Sequence, residues 1–285
     1  MGKKCREIFK NNFARRGKII ISIIIVHYKV EKELFDCLNS IEKSQQKSIY
    51  EIIVIDNNEE PTIKSELSKK FPNVIYIKTN KNIGFGAANN LGAKVAKGEF
   101  LFFLNPDTKV FLNTIDALIN FLKNHHHAGI VAPLLLNKKC NPYSLQGSAV
   151  LTPFRAIMCL SFIQKLFPEN IIYKEYYLLD WDKKFIREVD VIPGTAFLVR
   201  KKIFEEVGGF DERFFLFFEE NDLCMRVKEF GYKIYITPNA KVMHLWGEST
   251  KSLPNTKEIF KKSREYYFQK YFGFFWASVV ELFCR

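Results

Sequence analysis

The apolar residues in the first half of the chain fall into short unbroken runs, and segments with helical spacing separate these runs. Such runs predict strands that are buried on both faces, as in the middle of a parallel sheet. We predict strands at residues 19–26, 52–55, 74–77, 100–104 and 129–132. Helices are predicted between them, at residues 31–44, 61–70, 86–95 and 114–122. This alternation predicts an α/β fold with a mostly parallel, Rossmann-like sheet that has helices on both faces.

The second half of the chain has a less regular pattern. Residues 134–188 are rich in aromatic and turn residues, and short strands are predicted beyond them at 189–192, 196–199, 234–236 and 240–243. A helix is predicted at residues 222–230, and Gly231 ends it. Residues 257–275 interleave basic with aromatic side chains, a short apolar run follows at 276–283, and together they predict an amphipathic helical extension. Such a helix either lies in a membrane interface or packs on the protein body.

These patterns predict three parts of the chain. Residues 1–18 form a basic N-terminal arm, and residues 251–285 form an amphipathic tail that we expect to associate with a membrane. The main domain spans residues 19–250, with a nucleotide-binding half over about 19–132 and an acceptor half over 133–250.

Composition and charge narrow the classes of partner. The chain has 285 residues, of which 47% are hydrophobic, and this favours a globular protein. The formal net charge of +12 predicts an anionic partner, which is a nucleic acid, a membrane surface or a phosphorylated substrate. The densest basic segments lie at the two ends of the chain, which favours an anionic membrane surface over nucleic acid. Widely spaced cysteines and the lack of a signal peptide pattern predict a cytoplasmic protein. Together with the basic ends of the chain, they predict that it lies peripherally on the inner face of the cell membrane.

Polar side chains follow three of the predicted strands. Tyr28 comes after the first strand, Asp56 after the second and Asp107 after the fourth. The carboxyl ends of parallel strands meet at one edge of a sheet, where ligands bind. Asp56 is suited to accept hydrogen bonds from a base or ribose, and Tyr28 is suited to stack on a base. Ordinary turn chemistry would explain each of these residues taken alone.

A glycine-bearing loop leads into the helix predicted at 86–95. Asn82, Gly86 and Asn89 belong to this segment, and the spacing of its glycines differs from that of the dinucleotide-binding fingerprint. Glycine permits close approach of the backbone to a ligand, and a helix N-terminus favours anions. We therefore predict that this loop helps to bind the nucleotide.

The ordered set of motifs resembles family-2 glycosyltransferases of the glycosyltransferase-A fold, most closely the bacterial rhamnosyltransferase-like branch. The matching segments span roughly residues 20–250 and follow the family order; they are residues 24–29, 54–58, 82–90, 104–108, 193–196, 208–215, 219–226 and 242–244. One such segment is a weak signal, whereas the ordered set is specific.

The resemblance implies a divalent metal, Mn²⁺ or Mg²⁺, that bridges the two phosphates of the nucleotide. Asp107 corresponds to the metal-binding acid of the family's Asp-x-Asp element, and Asn105 stands in place of its first acid. Asn105 then either supplies a ligand or only shapes the turn. His244 matches a downstream histidine and is implied as a second metal ligand; alone, it would be interpreted as a core histidine.

The resemblance also assigns the acidic cluster at residues 219–222. Glu220 aligns with the catalytic general base, at a position where the family more often has Asp. Glu219 and Asp222 are the alternative candidates for the general base. Together with Gly194 and Thr195, they are also implied to bind the sugar or the acceptor. A helix N-terminus that is rich in acids to suit the helix dipole is the alternative interpretation.

The implied activity is a metal-dependent, inverting transfer of a sugar from a nucleotide-diphosphate donor to a hydroxyl group of a glycan. The expected acceptor is linked to polyprenyl diphosphate and belongs to the synthesis of a cell-surface polysaccharide. A nucleotidyltransferase of sugar phosphates and a basic nucleic-acid-binding protein are the competing hypotheses. The sequence leaves the oligomeric state open, and a dimer is among the possibilities.

Overall fold

The computed structural model describes residues 20–168, 170–245 and 253–284. Its strands are β1 (Ile21–His27), β2 (Tyr50–Asp56), β3 (Ile75–Lys78), β4 (Phe100–Leu104), β5 (Thr108–Val110), β6 (Ala128–Leu136), β7 (Arg187–Val189), β8 (Ala196–Arg200) and β9 (Lys233–His244). Its helices are α1 (Glu31–Lys43), α2 (Lys64–Lys70), α3 (Phe85–Val95), α4 (Thr114–Asn124), α5 (Pro153–Leu160), α6 (Phe162–Leu166), α7 (Ile171–Tyr176), α8 (Lys201–Glu206), α9 (Glu219–Glu229) and α10 (Thr256–Phe283). The predicted arm at residues 1–18 lies outside the described residues.

The strands form one sheet in the order β3-β2-β1-β4-β8-β6-β9-β5, and β7 pairs with β9. The first four strands are parallel, as their unbroken apolar runs predict, because helices cover both of their faces. Two large hydrophobic clusters, one including Ile23 and Phe102 and the other including Ile24 and Phe103, lie on these two faces.

Beyond β4 the sheet is mixed. Strand β8 runs antiparallel between β4 and β6, so that β6 still points in the same direction as β4. Strand β9 is parallel to β6 and merges the two short strands that were predicted at 234–236 and 240–243. The register shifts around Pro238, because proline cannot donate to the ladder. Strand β5, which the sequence pattern did not predict, is antiparallel to β9.

A third hydrophobic cluster joins helices α5 and α7 to helix α10 and to the segment before α9. It includes Cys159, Tyr176, Phe218, Tyr267 and Val280. The aromatic residues in the first part of the tail therefore point largely into the protein. The sequence left open whether the tail lies in a membrane interface or packs on the protein body. In the structure, the tail packs on the protein body.

Helix α10 is broken at Gly273, which has a φ angle of 83°. Arg264 Nε lies 2.6 Å from Glu281 Oε1, although 17 residues separate them. In an uninterrupted helix this separation would be about 25 Å. Residues 256–272 and 274–283 therefore form a helical hairpin, and a bidentate ion pair of Arg264 with Glu281 ties its two halves together.

Candidate functional site

The carboxyl ends of β1, β2 and β4 form one edge of the sheet. His27 at the end of β1 is in register with Asp56 at the end of β2, and Asn57 N donates to His27 O at 2.8 Å. Asn105 follows β4, and its backbone N donates to Thr195 O, just before β8, at 2.8 Å. The predicted convergence of the strand ends is thus present.

Asp56 is fully buried at this edge. Its Oδ2 accepts a hydrogen bond from Tyr76 Oη at 2.5 Å, and its Oδ1 accepts one from Asn58 Nδ2 at 2.7 Å. Burial lowers the pKa of the neighbouring His27 to about 4, against the opposing influence of Asp56. His27 is therefore neutral at physiological pH. Both oxygens of Asp56 are held by the protein, and its hydrogen bonds to a base or ribose stay a prediction.

The glycine loop is fixed by an amide network. Asn82 Oδ1 accepts hydrogen bonds from Asn57 Nδ2 at 2.8 Å and from Gly84 N at 3.0 Å. Gly84 has a φ angle of 89°, and a Cβ atom there would lie 2.5 Å from Phe215 O. Phe85 N donates to the same carbonyl at 2.9 Å. The loop therefore needs glycine at position 84, and it joins the nucleotide half to the acceptor half.

Gly86 and Asn89 lie within α3 and contact protein rather than the open part of the site. A Cβ atom on Gly86 would lie 3.1 Å from Phe210 Cβ. Asn89 is 1% exposed, and its amide donates to Phe85 O at 3.1 Å. Their observed contacts favour a role in packing over direct contact with the nucleotide.

Asn90 is a residue whose role the sequence did not reveal. Its Oδ1 accepts from Phe210 N, and its Nδ2 donates to Phe210 O, both at 2.9 Å. The side-chain amide of Asn90 thus pairs with both the backbone N–H and the backbone C=O of Phe210. It fixes the start of the segment that leads to α9.

A cavity of about 100 Å³ opens between the glycine loop and the ends of β1 and β4. Among its lining residues are Tyr28, Asn57, Asn82, Asn105 and Phe215. All five come from the predicted motifs, and Phe215 is the last residue of the motif at 208–215, before α9. A neighbouring cavity of about 390 Å³ shares part of this lining and extends to the N-terminal end of the hairpin.

Asp107 and His244 lie side by side because β5 pairs with the end of β9. His244 is in register with Thr108, and its Nε2 lies 3.5 Å from Asp107 Oδ1. That oxygen is buried and accepts no hydrogen bond from any described residue. The buried Oδ1 of Asn105 likewise has no hydrogen-bond partner in the described part of the chain.

These unpaired oxygens fit a divalent cation that also binds substrate oxygens. In the parts of the chain that the structure describes, no group of three or more His, Cys, Asp or Glu side chains could hold a metal. Asp107 and His244 would therefore need ligands from the donor and from water. Mg²⁺ is often held in this way, by one or two carboxylates together with substrate phosphates.

Glu219 and Glu220 begin α9. The side chain of Glu220 packs over Gly194, since a Cβ atom on that glycine would lie 3.6 Å from Glu220 Cβ. Burial raises the pKa of Glu220 to about 7. Burial, and then the charge of Glu220, raise the pKa of Glu219, which is 4% exposed. Raised carboxyl pKa values of this kind are typical of acid–base sites.

Gly194 and Thr195 complete the link between these acids and the edge of the sheet that carries Asp107. Gly194 lies under Glu220, and Thr195 O accepts the hydrogen bond from Asn105 N. The structure therefore connects Glu220 to the strand end that precedes Asp107 through two short contacts.

Asp222 does not face the same site as Glu220. It is fully buried, and Arg226, Lys270 and Tyr271 bind its two oxygens. Two residues along a helix correspond to a rotation of about 200°, so Asp222 points toward the hairpin when Glu220 points toward Gly194. The predicted contact of Asp222 with sugar or acceptor is replaced by a structural ion pair.

The family model of glycosyl transferase family 2 matches residues 22–208, about two thirds of the chain. An N-acetylglucosaminyl-diphospho-decaprenol L-rhamnosyltransferase of Mycobacterium tuberculosis is 26% identical over 252 residues, covering 81% of this chain and 78% of its own. The rhamnosyltransferase WbbL of Escherichia coli is 26% identical over 237 residues, covering 79% of this chain and 83% of its own. The dTDP-rhamnosyl transferase RfbF of Shigella flexneri is 25% identical over 233 residues, covering 81% of this chain and 70% of its own.

Solved glycosyltransferase structures share the fold. GalNAc-T7 with UDP, GalNAc and Mn²⁺ has a TM-score of 0.62 at 16% identity, over 89% of this chain and 50% of its own. S. aureus TarS 1–349 with UDP-GlcNAc has a TM-score of 0.58 at 19% identity, over 87% of this chain and 65% of its own. The ordered motifs, the sheet and the family match agree, and the chain belongs to glycosyl transferase family 2, in its rhamnosyltransferase-like branch.

Proposed function

We propose that the protein is a metal-dependent, inverting glycosyltransferase that uses a nucleotide-diphosphate sugar. The observation that carries this proposal is the juxtaposition of Asp107 and His244 at the sheet edge, beside the cavity lined by Tyr28 and Asn82. A dTDP-linked deoxyhexose is the first donor to test, since the Shigella relative is a dTDP-rhamnosyl transferase. Tyr28 stacks on the base, and Asn57 and Asn82 border the nucleotide in this proposal.

The proposed metal ligands are Asp107 and His244, and Asn105 Oδ1 supplies a further oxygen. A divalent ion held by these residues, Mn²⁺ or Mg²⁺, would supply positive charge against the negative charge that develops on the departing diphosphate. The absence of a second acid at position 105 leaves the protein with little negative charge at this point, which suits a diphosphate that is itself anionic.

Glu220 is the proposed general base. Its carboxylate takes the proton of the acceptor hydroxyl as that oxygen attacks the anomeric carbon of the sugar. The bond from this carbon to the diphosphate oxygen breaks in the same step, and its electron pair leaves with the diphosphate. A single displacement inverts the configuration of the anomeric carbon. Glu219, buried beside it, is a positioning residue in this scheme.

The proposed acceptor is a glycan linked to polyprenyl diphosphate, in the synthesis of a cell-surface polysaccharide. The mycobacterial relative, which is named for an N-acetylglucosaminyl-diphospho-decaprenol acceptor, supports this proposal. Such an acceptor is anchored in lipid, so the enzyme works peripherally at the anionic inner face of the cell membrane.

The test is calorimetric binding of dTDP, and of UDP as an alternative, with and without Mn²⁺ or Mg²⁺, together with donor hydrolysis. We expect Asp107→Ala to lose the metal-dependent part of nucleotide binding and at least 100-fold in hydrolysis. Asp36→Ala removes an exposed acid that pairs with Lys109 at the surface and is the control. Metal-dependent binding of normal strength in Asp107→Ala would refute the metal site.

A further inference from the structure

The outward face of the second half of the hairpin is apolar. In residues 274–283, Ala277 and Val280 are buried against the body, whereas Phe275, Trp276 and Leu282 are exposed. The acid of this half, Glu281, is held by Arg264. A helix that is apolar all round is normally buried on all sides. This one is covered only on its inner side by the residues that the structure describes.

Helix α6 extends this apolar face. The rings of Phe162 and Phe283 stack with centroids 6.3 Å apart, so α6 lies against the end of the hairpin. The exposed apolar residues of α6 and its C-terminal end lie next to this contact. We define the apolar ridge as Phe162, Leu166, Phe167, Phe275, Trp276 and Leu282. Each of these six side chains is between 43% and 72% exposed. Single exposed apolar residues scattered over a surface are normal, whereas a group of them on neighbouring elements marks an interaction site.

The charges around the ridge favour an anionic lipid surface as its occupant. Lys165 lies in α6 between two ridge residues and is exposed. Lys257 and Lys261 are exposed on the first half of the hairpin, whereas Lys262 pairs with Glu258 at 2.8 Å and lines the larger cavity with it. Phenylalanine and tryptophan insert at the level of lipid headgroups while neighbouring lysines contact the phosphates. The formal net charge of +12 adds a long-range attraction to an anionic bilayer.

The ridge differs from the surface that the sequence pattern indicated. That pattern identified the basic and aromatic residues of the whole tail as an amphipathic helix, for either a membrane interface or the protein body. In the structure, Arg264 and Lys270 are used in internal ion pairs, and Tyr267 and Phe268 are fully buried. No described helix has both the length and the apolar character that crossing a bilayer requires.

We propose that the apolar ridge docks the protein on an anionic lipid bilayer. This deepens the proposed function, on which it rests, because an acceptor linked to a polyprenyl lipid has to be reached at the bilayer surface. Three of the ridge residues belong to the second half of the hairpin. The first half of the same hairpin borders the larger cavity beside the nucleotide site. Docking there would bring the acceptor half of the enzyme to the membrane.

The test is co-sedimentation of the full chain with vesicles of phosphatidylcholine alone or with 30% phosphatidylglycerol. We expect the wild type to bind the anionic vesicles and to be released by salt. We expect Phe167→Ser combined with Phe275→Ser to weaken this binding at least 10-fold. Leu112→Ser changes a residue of similar exposure on the nucleotide half and should bind like the wild type. Both changes replace exposed side chains, and a thermal melt of each variant checks that it is folded.

Equal vesicle binding by the double variant and the wild type would overturn the proposal. A wild type that ignores vesicles but forms a dimer, which the double variant loses in sedimentation velocity, would also overturn it and assign the ridge to self-association. Donor hydrolysis without vesicles is measured in parallel. Normal donor hydrolysis without vesicle binding would refute only the proposed docking through the ridge. A wild type that does not hydrolyse any donor would refute the proposed catalytic function.

Discussion

Glu220 occupies the one position of the acidic cluster that packs over Gly194. We expect Glu220→Gln to lower kcat by about 10²- to 10⁴-fold, because the amide cannot accept the proton of the acceptor hydroxyl. Nucleotide binding, measured by calorimetry, should stay unchanged. Glu229→Gln, at the exposed other end of the same helix, should keep full activity. A Glu220→Gln enzyme with normal turnover would exclude this residue as the base.

The raised pKa of Glu220 also predicts how rate and stability vary with pH. Only the ionised carboxylate accepts a proton, so kcat should rise with pH and level off above about 7. Stability should change in the opposite direction. A carboxyl whose pKa is raised in the folded state favours folding below its ordinary pKa of 4.5, and this contribution is lost as the pH rises through about 7.

The two effects can be measured on the same variants. Between pH 5 and pH 8, the free energy of unfolding should fall less in Glu219→Gln combined with Glu220→Gln than in the wild type. A parallel fall in both proteins would mean that other groups dominate the pH dependence.

At the scale of elements, the hairpin contacts the helix that carries the proposed base, Glu220. Lys270 bridges Asp211 and Asp222, and Tyr271 donates a hydrogen bond to Asp222. Phe217 and Phe218, just before α9, have φ angles of 69° and 67°. Such a left-handed conformation is unfavourable for aromatic residues and persists where the surroundings enforce it. Here the rings of the hairpin pack on both residues.

We therefore expect Lys270→Met to destabilise the protein by about 2 kcal/mol, since it leaves two carboxylates without their shared cation. It should also lower kcat while leaving the nucleotide affinity unchanged. Lys261→Met removes an exposed lysine of the same hairpin and is the control. Thermal melts and steady-state kinetics provide the measurements. A lower melting temperature with normal kcat would show that the hairpin is structural without positioning α9.

The elements also show what sequence reasoning can and cannot reach. Strands β1 to β4 follow from their apolar runs, because a run buried on both faces has few alternatives. Strand β5 has only three residues and is specified by its partner β9, which is far away in sequence. Asp222 was grouped with Glu220 by proximity in the chain, although helical geometry alone places the two on different faces. For the tail, the pattern identified aromatic residues but not which of them would find partners on the body.

For the whole molecule, the three hydrophobic clusters relate differently to the proposed site. The clusters on the two faces of the sheet support Asp56 and Asp107, whereas the third cluster joins the hairpin to the segment before Glu219. The third cluster is the smallest of the three. Helix α9, which carries the proposed base, lies between two of them, because its apolar residues pack in a sheet cluster while Phe218 before it packs in the third.

The small size of the third cluster has a consequence for how the protein opens. The hairpin shares this small core with α5 and α7, so we expect the backbone amides of the hairpin to exchange with deuterium as one cooperative unit, at a lower opening free energy than the amides of β1 and β4. Opening of the hairpin removes the contacts of Lys270 and Tyr271 with Asp222 of α9. On heating, glycosyl transfer should then disappear several degrees below the temperature at which nucleotide binding is lost. Exchange of the hairpin at the same slow rate as β1 would contradict this. Inactivation of the enzyme would therefore begin as a reversible local opening of the hairpin beside the proposed base, while the donor site is still folded.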